Sequence, residues 1–242
     1  MTGTEQNGGD AVPMWRGLGL LLSLLLSIPT VVQAAGTDGS LGIYAVGVNG
    51  GAGVYLGNGL VLSVAHVVGG GIVDKPTITI ANQKLIATLV KESPFEQLDL
   101  ALVQFNETSL PVSLRLRRIS LCQGKTWPGE QVISLLGQTP VRSYVISPLA
   151  LPRDVRRFST VIRDVATTGN SGTGLFDANR KCLLGVMSRK ISQVRVQKDT
   201  GAKTTVDIAK YFVPASTIST FIPARYQLEP ESGPPLQFSY GQ

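Results

Sequence analysis

The apolar residues of this chain come in short runs, each closed off by Gly, Pro, Asn or Asp. Runs of that kind suit β-strands joined by tight turns, and they are too short and too often interrupted for amphipathic helices. Strands are expected at residues 42–48, 53–56, 60–64, 77–80, 84–90 and 100–105, enough to close one barrel. A second set is expected at residues 131–136, 141–146, 158–162, 174–176, 182–188, 194–198 and 211–214. Between the sets, residues 106–130 carry prolines and mixed polarity and read as a crossover. Residues 215–222 have the apolar spacing of one short closing helix, and the proline-bearing tail over residues 223–242 reads as disordered. At 242 residues with 16% charged side chains, the chain is long enough and apolar enough for a sizeable core. The expectation from these runs is an all-β protein.

Residues 1–34 read as a targeting segment. Arg16 precedes an apolar stretch from Gly17 to Ile28, too short for a comfortable membrane span, and small residues near Ala34 suit a signal peptidase. Export, secreted or periplasmic, is the expectation. The polar leader before Arg16 is long for a signal n-region, so an uncleaved anchor is the alternative, and only in that case is a membrane a partner. Cleavage after Ala34 removes Glu5, Asp10 and Arg16, which takes the formal net charge of +6 to +7.

His66 is the only histidine. It ends the run Ser63-Val64-Ala65-His66. Asp99 opens Asp99-Leu100-Ala101-Leu102-Val103, and Ser171 lies in Gly169-Asn170-Ser171-Gly172. Each motif alone is a common strand end or turn. Together they stand in the order His, Asp, Ser, spaced by 33 and 72 residues. α/β-Hydrolases need a histidine after the serine, and subtilisins need an aspartate before the histidine; only Asp10 and Asp38 precede His66.

On these motifs, residues 41–222 resemble the trypsin/chymotrypsin-like serine peptidase superfamily, in particular bacterial HtrA-type catalytic domains, although the tail is too short to hold a PDZ domain. The resemblance implies a chymotrypsin-like peptidase domain over residues 35–222, an all-β fold of two six-stranded antiparallel β-barrels with a short C-terminal helix. Its first barrel would span about 41–105, its crossover 106–130, its second barrel about 131–214 and its closing helix 215–222. It implies an endopeptidase acting through an acyl-enzyme, with Ser171 as nucleophile, His66 as general base and Asp99 orienting the imidazole. The backbone N–H groups of Gly169 and Ser171 would donate to the oxyanion. Thr173 and Gly174 depart from the family's Gly-Pro after the serine motif.

The same resemblance places Val165, Thr168, Ser188, Arg189 and Lys190 along the substrate cleft. Val165, six residues before the nucleophile, would floor the primary pocket and favour an apolar or small side chain; a shift of one position would bring in Asp164 and cleavage after Lys or Arg. Ser188 matches the serine of the family's Ser-Trp-Gly strand, while Arg189 and Lys190 replace Trp and Gly. Those two cations would narrow the pocket or favour an acidic substrate side chain; the alternative is a solvated strand end. Asn170 stands where zymogen-type relatives have the aspartate that pairs with a freed N-terminus, and no Ile-Val-Gly-Gly follows the signal. An oxyanion hole that needs no N-terminal ammonium is therefore expected.

Cys122 and Cys182, in an exported chain, either form a disulfide or are two buried small hydrophobes. One histidine and two separated cysteines make no metal-ligand cluster, so neither metal nor cofactor is expected. The arginines at 115, 117, 118, 153, 156 and 157 are scattered among apolar residues without aromatic interleaving. Protein or peptide substrates are the expected partners, and nucleic acid is not. Oligomeric state is not legible. The competing functional class is a catalytically silent binding protein on the same fold.

Overall fold

The computed structural model of the chain describes residues 38–70, 72, 75–163 and 170–228. The targeting segment expected over 1–34, residues 164–169, and residues 229–242 of the tail expected over 223–242 lie outside the described residues.

Among the described residues, twelve strands form two closed antiparallel barrels. The first holds β1 (Ala45–Val48), β2 (Gly51–Gly57), β3 (Leu60–Ser63), β4 (Thr77–Ile80), β5 (Gln83–Ser93) and β6 (Leu100–Phe105), in the order β1-β2-β3-β6-β5-β4. The second holds β7 (Gln131–Leu136), β8 (Thr139–Ile146), β9 (Val161–Ile162), β10 (Gly174–Asp177), β11 (Leu183–Val196) and β12 (Lys203–Pro214). Its order, β7-β8-β9-β12-β11-β10, repeats the first. Three short helices complete the fold: α1 (Ala65–Val68), α2 (Val112–Arg115) and α3 (Ala215–Phe221).

Tight turns set the strand registers. β4 and β5 pair from Thr77↔Ile86 to Ile80↔Gln83, joined by Ala81 and Asn82, both at positive φ. That is the primed turn that matches the twist of a hairpin. β7 and β8 pair up to Leu136↔Thr139 around Gly137, whose φ is +60°.

The strands nearest the site are buried on both faces. Along β3, Val61 packs with Val46, Tyr55, Ile78 and Val103 inside the first barrel, whereas Leu60 and Leu62 join a larger cluster with Leu102, Leu175, Phe176, Val186 and Phe212. That second cluster draws on both barrels, so the apolar face left over by one closes against the other. Burial on both faces explains why β3 and β6 read as continuous apolar runs instead of alternating ones.

Several elements differ in detail from the sequence reading. Residues 42–44 belong to a 3-10 turn (Gly39–Tyr44), so β1 starts only at Ala45. The strand expected over 194–198 is not separate: β11 runs unbroken to Val196. Its partner β12 begins at Lys203, eight residues before the strand expected at 211. The outer half of this hairpin pairs from Ser192↔Asp207 to Val196↔Lys203 with Val194 and Val196 exposed. No face is buried there, so the residues carry no period-2 apolar signal, and only the ladder between the strands specifies them.

Cys122 and Cys182 are joined in a disulfide with Cα atoms 5.0 Å apart. It pins the crossover to the second barrel beside the backbone bonds Cys122 N–H to Leu183 O (3.0 Å) and Leu183 N–H to Ser120 O (2.8 Å).

A turn over Ser171 and Gly172 sits where the barrels meet. The Ala52 N–H of β2 donates to Ser171 O at 3.1 Å, and the Gly172 N–H donates to Met187 O of β11 at 2.8 Å. Gly172 has φ of +88°, and a Cβ there would lie 1.8 Å from Ala52 O. That carbonyl cannot withdraw freely, because Ser63 Oγ donates to it at 2.6 Å. Only glycine satisfies both the conformation and the approach.

Two outcomes are expected. Replacing both cysteines by alanine lowers unfolding free energy by about 3–4 kcal/mol, read as a lower urea midpoint, and the native protein in reductant behaves like the variant. Gly172→Ala costs at least about 2 kcal/mol by the same measurement, because both the strained φ and the backbone clash oppose it; an unchanged midpoint would show that the turn does not clamp the barrels.

Candidate active site

His66 is brought to the barrel interface by the end of β3. After Ser63 the chain leaves the strand and at once forms the single turn of α1, with Val67 and Val68 N–H groups donating to Val64 O at 3.1 and 3.2 Å. The imidazole side chain is 33% exposed.

Asp99 sits at the last position before β6, in the left-handed region with φ of +54°. Aspartate tolerates that region better than most residues. The Asp99 and Gln97 N–H groups both donate to Pro94 O, at 3.0 and 2.9 Å, which folds residues 94–99 back on themselves. Its carboxylate is fully buried and well satisfied. His66 Nδ1 lies 3.0 Å from both oxygens, the His66 N–H donates to Oδ1 at 3.2 Å, and Ser188 Oγ donates to Oδ2 at 2.5 Å. With Nδ1 facing the carboxylate, the tautomer that donates from Nδ1 leaves Nε2 as the free base nitrogen.

Ser171 reaches the same region from the clamped turn, but its hydroxyl donates to Ser188 O at 3.0 Å. Among the described residues no hydrogen bond joins it to His66. Ser188 therefore links Asp99 to Ser171, with its hydroxyl on the first and its carbonyl on the second. The structure brings His66, Asp99, Ser171 and Ser188 together. Val165, Thr168 and Gly169 lie outside the described residues.

The two cations after Ser188 part ways. Lys190, with its side chain 60% exposed, pairs with Asp207 across the hairpin at 2.9 Å. Arg189 turns inward: its guanidinium carbon lies 3.8 Å from the centre of the Phe95 ring, Nη2 donates to Phe95 O at 2.8 Å, and Nε donates to Ser188 Oγ at 3.3 Å. Nη2 is also 3.8 Å from Asp99 Oδ2. The Phe95 ring in turn stands edge-on to the imidazole, with centroids 5.5 Å apart and planes at 90°.

Phe95 was invisible to motif reading. The one signal available was an aromatic residue in the polar loop Ser93-Pro94-Phe95-Glu96-Gln97, four positions before Asp99. Phe158 extends the aromatic surface, 6.0 Å from the Arg189 guanidinium and 5.0 Å from the Tyr211 ring. Burial raises the Tyr211 phenol above its ordinary value; Arg189 opposes the rise and Asp99 adds to it. Burial likewise lowers the Lys210 ammonium, with Lys190 adding to the effect and Asp207 opposing it. No group of three or more His, Cys, Asp or Glu side chains is arranged to hold a metal ion among the described residues.

No family model matches the sequence, and no curated protein matches it. Solved structures do. The active form of the Rv3671c protease from M. tuberculosis is similar over 79% of this chain and 84% of its own, with a TM-score of 0.54 at 16% identity. The serine endoprotease from Yersinia pestis is similar over 76% of this chain and 65% of its own, with a TM-score of 0.51 at 18% identity. The HtrA-type protease AlgW, solved with a tripeptide, is similar over 74% of this chain and 60% of its own, with a TM-score of 0.50 at 18% identity. At these identities the likeness is one of fold, and that fold is the chymotrypsin-like double barrel of trypsin-like serine proteases.

Proposed function

We propose that the chain is an exported serine endopeptidase that hydrolyses peptide bonds through Ser171, His66 and Asp99. The observation that carries the reading is the His66–Asp99 pair, an imidazole held by Nδ1 against a fully buried carboxylate, at the junction where the Ser171 turn is clamped. A serine hydroxyl is a poor nucleophile at neutral pH and needs a base within reach. His66 is the one histidine available for that role.

In this reading the Ser171 hydroxyl leaves Ser188 O by rotation about χ1 and hands its proton to His66 Nε2 as Oγ attacks the substrate carbonyl. Asp99 stabilises the imidazolium, and the imidazolium then protonates the leaving amine. The Gly169 and Ser171 N–H groups receive the oxyanion. Water, deprotonated by the same imidazole, releases the acyl group and restores the enzyme. Asn170 in place of an aspartate supports an oxyanion hole formed without a freed N-terminus. Export rests on the apolar segment after Arg16, and no described helix is long and apolar enough to cross a membrane.

A second reading has one observation in its favour. Because Ser171 donates to Ser188 O and not to His66, a catalytically silent binding protein on this fold is the alternative.

A fluorophosphonate probe separates the two. Purified protein is expected to become labelled at Ser171, Ser171→Ala to abolish both labelling and casein cleavage, and His66→Ala to cut kcat by roughly 10⁴–10⁶-fold. Protein that folds but takes no label would favour the silent reading, while labelling without cleavage of any peptide would point to an esterase. Mature protein carrying an N-terminal tag is expected to keep full turnover; loss of activity on tagging would show that a free ammonium is needed.

A further inference from the structure

Arg189 is the one charged side chain of the site that no catalytic role claims. It follows Ser188 directly on β11, so it lies one residue from the carbonyl that holds the Ser171 hydroxyl. Its guanidinium is fixed before any ligand arrives, flat on Phe95, with Nε and Nη2 engaged by Ser188 Oγ and Phe95 O. Its side chain remains 22% exposed, and among the described residues Nη1 has no hydrogen-bond partner. The nearest acid, Asp99, is 3.8 Å from Nη2 and already receives His66 and Ser188. Lys190 is paired with Asp207, so it does not compete. On the outer side stands Phe158, which itself carries the exposed Arg157 at 5.0 Å.

Taken together, this is a held cation with Phe95 and Phe158 beside it, one residue along β11 from the carbonyl that receives the Ser171 hydroxyl, with an unused donor. A guanidinium held by stacking loses little freedom when it binds, and a carboxylate meeting it in a partly dry site forms a charge-assisted hydrogen bond. The aromatic faces would receive the methylene groups of the same side chain. We infer that Arg189 is a specificity-determining residue that binds an Asp or Glu side chain of the substrate, within the four residues on the amino side of the cut. The inference rests on the peptidase reading for its direction of substrate binding.

The test uses matched peptides from the best-cleaved casein segment, carrying Glu or Gln, and Asp or Asn, at each of those four positions. For the native enzyme, kcat/KM is expected to favour the acid over its amide roughly tenfold in at least one position, with the difference in KM. Arg189→Met brings that ratio to about 1, and Arg189→Lys keeps part of it. A native ratio near 1 everywhere, or a preference that survives Arg189→Met, overturns the proposal. So does an equal fall in kcat on both members of each pair with the preference intact, which would make Arg189 a positioning group for Asp99. Fluorescence anisotropy of the same peptides on Ser171→Ala protein needs no turnover. If the native protein takes no fluorophosphonate and cleaves no casein, the peptidase reading fails, and anisotropy with a library of peptides matched in acid and amide, on native and Arg189→Met protein, decides whether Arg189 binds an acidic side chain.

Discussion

The buried carboxylate of Asp99 is the interaction on which the site depends. Taking a charge fully out of water costs several kcal/mol unless hydrogen bonds and a counter-charge replace the lost hydration. Here the replacements come from both barrels: the backbone N–H and Nδ1 of His66 from the first, and the Ser188 hydroxyl, with Arg189 behind it, from the second. Docking of the barrels and orientation of the imidazole are therefore one physical problem. A displaced barrel would leave the carboxylate unsatisfied.

Ser188 is where the two halves of that problem join. Its side chain faces Asp99 while its carbonyl receives the Ser171 hydroxyl. That carbonyl sits at the irregularity in the β11–β12 ladder between Met187 and Arg189, and the position of Ser171 is set by the contact between Gly172 and β2. The Ser171 hydroxyl is held by backbone geometry on both sides, and its remaining freedom is the rotation of one hydroxymethyl group. The outward-facing arm of the same hairpin has no core to rest on, yet it continues the strand that carries Ser188 and Arg189.

Much of the fold was legible because β-strands between Gly, Pro, Asn and Asp turns leave a local trace. The runs at 60–63 and 100–105 are apolar at nearly every position because both their faces are buried, and the turn at Ala81-Asn82 announces its hairpin. Residues 203–207 left no such trace. With Thr204, Thr205 and Asp207 exposed on both faces of a two-stranded arm, their strand character exists only in the pairing with β11. The start of β1 was misplaced for a related reason, since Leu41 and Tyr44 are buried in a 3-10 turn and mimic a strand's apolar content. In the site, His66, Asp99 and Ser171 were readable from short motifs and their order, whereas Phe95 belonged to no motif.

The chain's own letters determined that strands would form, roughly where, and which hydroxyl, imidazole and carboxylate were available for chemistry, because those properties are local. Tertiary structure alone decided that Ser188 bonds to Asp99 and to Ser171, that Arg189 folds inward onto Phe95 while Lys190 turns out to Asp207, and that Cys122 meets Cys182. Each of these contacts joins residues far apart in sequence, or depends on which way a strand's alternating side chains face once its register is set. That register comes from the closed ladder of a whole barrel and has no counterpart in any single stretch of sequence.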